Sequence, residues 1–292
     1  MNHIPDFNIP GSAPIGAVAD VAGFDAIATH LAERTKGESL KAKAIYEKSG
    51  VHPPVVLVSI EEELPGMREL VFGESLFLFH KARHVIGTAE FQIRDGIHTW
   101  ALANAYQGAF FAAKATLGFL GISLPEHNNK SIVVDLFPHP VTSADEYSDC
   151  AFHFLDSQLS HLPIWEIFQR LLAVSTVEFW PRKIVDKLKS VDTKRFARQR
   201  NFIHYKNGGW ILDDLHDFAV DDNFGDPKTW NEKLDFDCDD ISVALAFSAL
   251  RLGLLLLRDL EQLSAKLSPE IKLLSDCVEK GRHPMYGNLI CL

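Results

Sequence analysis

The stretch that decides the fold is Trp100-Ala-Leu-Ala-Asn-Ala-Tyr-Gln-Gly-Ala-Phe-Phe-Ala-Ala-Lys-Ala-Thr-Leu-Gly-Phe-Leu-Gly-Ile122. Its apolar residues wrap most of the circumference of an α-helix, which indicates burial on several sides. Gly121 and Pro125 follow it, as is typical of a helix C-terminus. The stretch therefore predicts a helix over residues 99–120, at the centre of a helical bundle or at a subunit interface.

Outward from this helix, the pattern predicts further helices and a small β element. Residues 55–60 are rich in β-branched side chains, and two apolar runs within 70–79 flank Gly73-Glu74, so both segments are predicted to be β. Residues 131–138 form a loop with some extended character. Helices are predicted over 80–92, 151–159, 164–174, 181–189 and 240–267, and Asp192 is the expected N-cap of a further helix that ends at Asn207-Gly208-Gly209.

Composition places the chain among globular proteins. Its 292 residues are 47% hydrophobic and 23% charged, enough for one large or two modest domains. The longest apolar run, 241–257, is interrupted by Arg251 and indicates a buried helix rather than a membrane span. The N-terminus lacks the basic region and apolar core of a signal peptide, so we expect a cytoplasmic protein. The cysteines are widely spaced, which indicates free thiols at Cys150, Cys238, Cys277 and Cys291.

No metal or cofactor is predicted. His139, Cys150, His153 and His161 carry zinc-binding side chains, but their spacing matches no compact ligand pattern. The acidic stretch 217–226 lacks the glycine and closing glutamate of a calcium loop in the required places. The sequence also has no glycine-rich phosphate loop.

A second informative stretch is Phe196-Ala-Arg-Gln-Arg-Asn-Phe-Ile-His-Tyr-Lys206, which puts two arginines, an asparagine and a histidine within two helical turns. Arg is permanently cationic and His titrates near neutrality. Together they can hold a phosphate and move a proton without a metal ion. The residues thus suggest phosphodiester chemistry on RNA, although surface charge is the plainer explanation of one such helix.

Both stretches together resemble HEPN domains, helical bundles found in prokaryotic toxins and antiviral ribonucleases. Residues 105–115, closed by Leu120-Gly121-Ile122, resemble the first helix of that family. The family carries on a later helix an Arg followed after four to six residues by His, often with a polar residue behind the Arg. The resemblance implies a mainly α fold, with a HEPN-like bundle over about residues 95–265 and an N-terminal α+β extension.

Two alignments of the family motif stay open. Arg198 has five residues between it and His204 and is followed by the polar Gln199, which fits the family spacing. Arg200 is followed by Asn201, as is frequent in the family, but only three residues separate it from His204. Helical geometry favours Arg200, because four residues advance about 400° and six leave Arg198 about 120° away.

The resemblance implies a catalytic set of Arg198, Arg200, Asn201 and His204. The 2′-hydroxyl of RNA would attack the neighbouring phosphorus while His204 moves the proton and an arginine stabilises the extra charge. Similar proteins form dimers that bring two such helices together. Substrate contacts are expected from Tyr205, Lys206 and Arg195.

The charge distribution fits a protein that binds one particular RNA better than a protein that binds nucleic acids non-specifically. The formal net charge is −10, which opposes indiscriminate binding. Residues 182–206 nevertheless hold nine Lys or Arg against two acids, whereas 213–240 hold eleven acids against two lysines. A basic patch on an otherwise acidic protein can attract one particular RNA to that patch. A solvent-exposed helix followed by a solvent-exposed loop would give the same charge pattern.

The sequence thus predicts an N-terminal α+β region of unknown role over 1–95, a HEPN-like bundle over 96–270 with an acidic insertion at 212–238, and a tail over 271–292. The favoured function is an endoribonuclease acting as a toxin or antiphage-defence effector, as a homodimer with an antitoxin or defence-complex partner. The rival is a HEPN-like subunit that binds or senses without cutting. A structural protein without chemistry is the third reading.

Overall fold

The computed structural model describes residues 55–58, 67–127, 129–136, 139–140, 147–148, 150–174 and 182–205, and five residues near the C-terminus, 249, 250, 252, 253 and 256. Those five residues are helical, in the segment where a long final helix is predicted. The predictions for residues 1–54, the acidic insertion 212–238 and the tail 271–292 lie outside the described residues.

Helices make up most of the described chain, and short strands the rest. In chain order these are β1 (Val55–Val58), α1 (Met67–Arg94), α2 (His98–Phe119), β2 (Ile122–Ser123), β3 (Glu126–His127), β4 (Lys130–Asp135), β5 (His139–Pro140), β6 (Tyr147–Ser148), β7 (Cys150–Phe154), α3 (His161–Val174), α4 (Arg182–Ser190) and α5 (Thr193–Tyr205). The mainly α fold class is confirmed. Most strands follow α2, so the β content is not confined to the N-terminal third.

The chain divides into two compact units. Within the described residues, the first unit holds β1, the start of α1, the end of α2, the strands β2 to β7 and α3. The second unit holds residues 78–113 of α1 and α2, together with α4 and α5. None of the described helices combines the length and apolar character that crossing a membrane requires.

Residues 70–79 are helical, so the β element predicted there is wrong. They belong to α1, in which buried side chains recur along one face from residue 71 to residue 93. The buried polar residue on this face is Ser75, and the buried apolar residues are Val71, Leu76, Phe79, Ala82, Ile86, Ala89 and Ile93. A short apolar run looks alike in a strand and in a buried helix. The longer helical period, which extends far beyond residue 79, decides the structure.

The turn from α1 to α2 depends on Gly96, which has a φ of +76°. The Gly96 N–H donates to the Ile93 carbonyl at 3.1 Å, and the Ile97 N–H donates to the Gln92 carbonyl at 2.8 Å. This pair of bonds is the Schellman motif, which satisfies the last carbonyls of a helix. The left-handed conformation is open to glycine at little steric cost, so α1 ends here.

The helix predicted over residues 99–120 is confirmed as α2. It ends at Phe119, just before Gly121. Its residues are buried on almost every side, as the apolar circumference predicts; Trp100 is the most exposed side chain, and Asn104, Gln107, Phe111 and Lys114 are half-buried. The small residues let neighbouring elements approach closely. At Gly108, for example, an added Cβ would overlap the Ile86 side chain.

The main sheet in the first unit is antiparallel, in the order β1-β7-β4-β2, with β3 also paired to β4. In the register, Phe152 of β7 lies between Val56 of β1 and Val134 of β4. Residues 131–136 are all buried, so both faces of β4 are covered. The strand predicted near residues 55–60 is confirmed over Val55–Val58, and the extended character predicted for 131–138 is confirmed over the described strand Lys130–Asp135.

The helix predicted over residues 151–159 is wrong, because residues 150–154 form the strand β7. Ala151 and Phe152 are fully buried between two neighbouring strands. A segment this short contributes little helix propensity, so pairing on both edges outweighs it. The predicted helices at 164–174 and 181–189 are confirmed as α3 and α4.

Asp192 caps α5, as predicted. Its Oδ1 accepts the Lys194 N–H at 3.0 Å and the Arg195 N–H at 3.3 Å. These bonds satisfy backbone donors that the first turn of a helix leaves without intrahelical partners. The cap thus fixes where α5 begins and where the residues further along it point.

We expect Asp192→Ala to lower the free energy of unfolding by about 0.5–2 kcal/mol, because the two backbone donors lose their acceptor. Chemical denaturation measures the change. Asp192→Asn is the matched control, since asparagine caps helices about as well as aspartate. Equal losses in both variants would contradict a capping role, because only the alanine removes the side-chain acceptor.

Candidate functional site

His204 and Arg200 lie one turn apart on α5, with His204 exposed and Arg200 half-buried. Residues four apart share one face of a helix. Partial burial of the imidazole, and secondly the positive charge of Arg200, lower the pKa of His204 below its ordinary value. The ring is therefore biased toward its neutral form at neutral pH, which is the form able to accept a proton.

Local contacts orient Arg200. Its Nη1 donates to the Asn201 Oδ1 at 3.1 Å, and its guanidinium carbon lies 5.8 Å from the centre of the Tyr205 ring. Its Nε is buried and has no hydrogen-bond partner within the described part of the chain. Asn201 therefore contacts the arginine in this structure. Tyr205, 70% exposed, leaves most of its ring open to solvent.

The remaining residues predicted for the site are Arg198, Arg195 and Lys206. Arg198 is exposed, and its Nε donates back to the Lys194 carbonyl at 3.3 Å. That bond directs the Arg198 side chain toward the N-terminal half of α5. Arg195 is also exposed, in the first turn of the same helix. Lys206 lies outside the described residues.

Trp100 belongs to this cluster, and the sequence did not identify it. Its ring centre lies 5.6 Å from that of His204, with the planes at 76°, an edge-to-face contact. Trp100 lies in the first turn of α2, 104 residues earlier in the chain. The sequence contains one signal for this residue, because a tryptophan stands at the start of a helix made mostly of small apolar residues. That signal does not indicate which residue the tryptophan contacts.

The site is cationic and aromatic. The hydrogen bonds of Arg198 and Arg200 go to the Lys194 carbonyl and to the Asn201 amide oxygen, neither of which is charged. In the described stretches of the chain, no group of three or more His, Cys, Asp or Glu residues comes close enough to hold a metal ion. The arrangement can offer a guanidinium to an anion and a neutral imidazole to a proton donor, side by side.

Comparison with known proteins identifies one family. The family model of the HEPN domain matches residues 75–155, which covers most of α1, all of α2 and the strands β2 to β7 up to residue 154. The match ends before α3 and does not include α5. No curated protein and no solved structure matches the chain. Residues 75–155 thus match the HEPN domain, which confirms the resemblance noted for the first sequence stretch.

Proposed function

We propose that this protein is a metal-independent endoribonuclease of the HEPN type, a cytoplasmic toxin or antiphage-defence effector. The observation that carries the proposal is the pairing of Arg200 with an exposed His204 on one face of α5. The HEPN-domain match of residues 75–155 supports it, because HEPN domains are consistent with ribonuclease or nucleotide-binding roles.

The reaction is an internal phosphoryl transfer. The 2′-oxygen of a ribose bonds to the adjacent phosphorus while the bond from phosphorus to the 5′-oxygen breaks, giving a 2′,3′-cyclic phosphate and a 5′-hydroxyl. Neutral His204 accepts the 2′-hydroxyl proton. Arg200 stabilises the negative charge that builds on the phosphorane oxygens, and Asn201 holds the guanidinium through its Oδ1.

A single imidazole cannot act in one step both as the base for the 2′-hydroxyl and as the acid for the leaving 5′-oxygen. In a homodimer, the second His204 supplies that proton in its protonated form, and the second Arg200 doubles the positive charge. Tyr205 offers an exposed ring for stacking on a base, while Arg195 and Lys206 lie along the helix for neighbouring phosphates.

The test incubates purified protein with RNA in EDTA and examines the product ends. Cleavage by the wild type that leaves 2′,3′-cyclic phosphates, and that His204→Ala abolishes, supports the proposal. Intact RNA in both samples, or equal cleavage by both, counts against it.

The two arginines can be separated by mutation. We expect Arg200→Ala to lower single-turnover cleavage by about 10²-fold, the cost of one charge-stabilising donor, and Arg198→Ala by only a few-fold. Because the charge of Arg200 lowers the pKa of His204, Arg200→Ala should also raise that pKa and move the acidic limb of the pH–rate profile upward. Arg198→Ala is the matched control. If Arg198→Ala lowers cleavage more than Arg200→Ala does, the motif alignment with five residues between the arginine and His204 is favoured instead.

A non-catalytic HEPN-like binding or sensing subunit is the second candidate. It is favoured by the family match, which ends at residue 155 and leaves the Arg/His helix outside. Such a protein would work in a toxin–antitoxin or defence complex. Overexpression separates the candidates: toxicity that disappears in His204→Ala supports the nuclease, and harmless expression with a stable partner protein supports the binding subunit.

The domain boundaries predicted from the sequence are kept as part of this proposal. They are a region of unknown role over residues 1–95, a bundle over 96–270 with the acidic insertion 212–238, and a tail over 271–292. Removing residues 212–238 and measuring RNA binding would test whether the insertion repels RNA from the site.

A further inference from the structure

We propose that Trp100 is a positioning residue, whose indole holds the His204 imidazole in place beside Arg200 and shields part of it from water. The inference rests on the proposed function of His204 but concerns a residue that the Arg/His motif does not contain. Trp100 acts through His204 and needs no contact with RNA.

The geometry of the contact supports this role. Ring centres 5.6 Å apart with planes at 76° fall within the range of favourable edge-to-face pairs. Apart from Trp100 and the adjacent Tyr205 ring, whose centre lies 6.1 Å away, His204 is exposed near the last described turn of α5, where a side chain is free to change rotamer. A second ring packed against the imidazole restricts that freedom.

Trp100 is itself well anchored. Its neighbours Thr99 and Ala101 are fully buried, so the first turn of α2 is fixed by packing. The indole is 37% exposed, which leaves its remaining surface covered. Because packing holds the first turn of α2, the indole that this turn carries can orient the imidazole on α5.

The electrostatics of His204 agree with such shielding. Burial is the larger cause of its lowered pKa, ahead of the charge of Arg200. Among the described groups, Arg200 is the charge on α5 that acts on this pKa, and α2 contributes the uncharged indole.

The test compares Trp100→Ala and Trp100→Phe with the wild type. The His204 pKa is followed by NMR titration of its imidazole Hε1 resonance, identified among the 13 histidines by its loss in His204→Gln. Trp100→Ala should raise the pKa toward its ordinary value and slow RNA cleavage by roughly 10-fold through loss of orientation. Trp100→Phe keeps an aromatic contact and should retain most of both properties.

The matched control is Phe91→Ala, which removes an exposed aromatic ring from α1. It should leave the His204 pKa and the cleavage rate at wild-type values. Circular dichroism and thermal unfolding identify any variant that fails to fold, and Trp100→Phe then decides the question alone. An unchanged or lowered His204 pKa in folded Trp100→Ala would overturn the inference.

The outcomes separate this inference from the proposed function. If the wild type cleaves no RNA, the ribonuclease proposal fails, while the NMR titration still reports whether Trp100 shields His204. If His204 is essential for cleavage but Trp100→Ala changes neither rate nor pKa, only the role of Trp100 fails.

Discussion

Replacing His204 with alanine is expected to lower the rate of RNA cleavage by about 10²–10⁴-fold, the usual contribution of a positioned general acid or base. The loss should be near the upper end if two copies of the imidazole act in one site, because the substitution then removes both the base and the acid. The measurement is single-turnover cleavage of a short RNA in EDTA, with the product ends identified.

The pH dependence of the wild type gives an independent check. The pKa of His204 is lowered, so the neutral base should persist to lower pH than for an ordinary histidine. The midpoint of the acidic limb of the pH–rate profile should therefore lie below the ordinary pKa of histidine. A midpoint above that ordinary pKa would mean that the titrating group is not His204 in the environment described.

His84→Ala is the matched control. His84 is an exposed histidine on α1, and its backbone carbonyl, which accepts the Thr88 hydroxyl, is kept in the variant. The control variant should cleave at the wild-type rate. If both histidine variants lose activity equally, or if His204→Ala keeps it, another group carries out the reaction and the role of α5 must be reassigned.

The elements that could be predicted are those with a long, consistent pattern or a local chemical signal. The central helix α2 is apolar around its circumference for 22 residues, and no strand matches that length. Asp192 could be identified as a cap because the bonds it makes are to backbone groups two and three residues away. In both cases the information lies within one short segment.

The elements that were predicted wrongly, or missed, depend on distant residues. Cys150–Phe154 is a strand because Val55–Val58 and Lys130–Asp135 pair with its two edges. Within the site, Arg200 and His204 share a face through helical spacing, which the sequence contains. The contact of His204 with Trp100 joins residues about a hundred positions apart, so no local sequence pattern predicts it.

Gly118→Ala is expected to lower the free energy of unfolding by roughly 1–3 kcal/mol, the usual cost of overpacking a close contact. An added Cβ at Gly118 would overlap the Ser75 hydroxyl and lie 2.9 Å from the Ser75 Cβ. Helix propensity alone favours alanine over glycine by about 1 kcal/mol, so the sign depends on whether Ser75 can move.

Ser75 has little freedom to yield. Its side chain is buried, and its Oγ donates to the Val71 carbonyl at 2.6 Å. Rotating the hydroxyl would break that bond and would not relieve the Cβ contact, which is well inside the roughly 3.5–4.0 Å optimum for two carbons. The relief must come from separating the backbones of α1 and α2 at this point, which loosens the packing around them.

A double-mutant cycle measures this overlap directly. Ser75→Gly removes the atoms that Gly118→Ala would meet, so the double variant should recover stability and give a coupling energy of about 0.5–3 kcal/mol. Gly96→Ala is the control: nothing lies within 4 Å of its Cβ, and its cost of about 1–2 kcal/mol comes from the positive φ. Because that strain is independent of Ser75, Ser75→Gly should not rescue it. Additive losses in the Gly118 cycle would mean that the two helices do not meet at these residues.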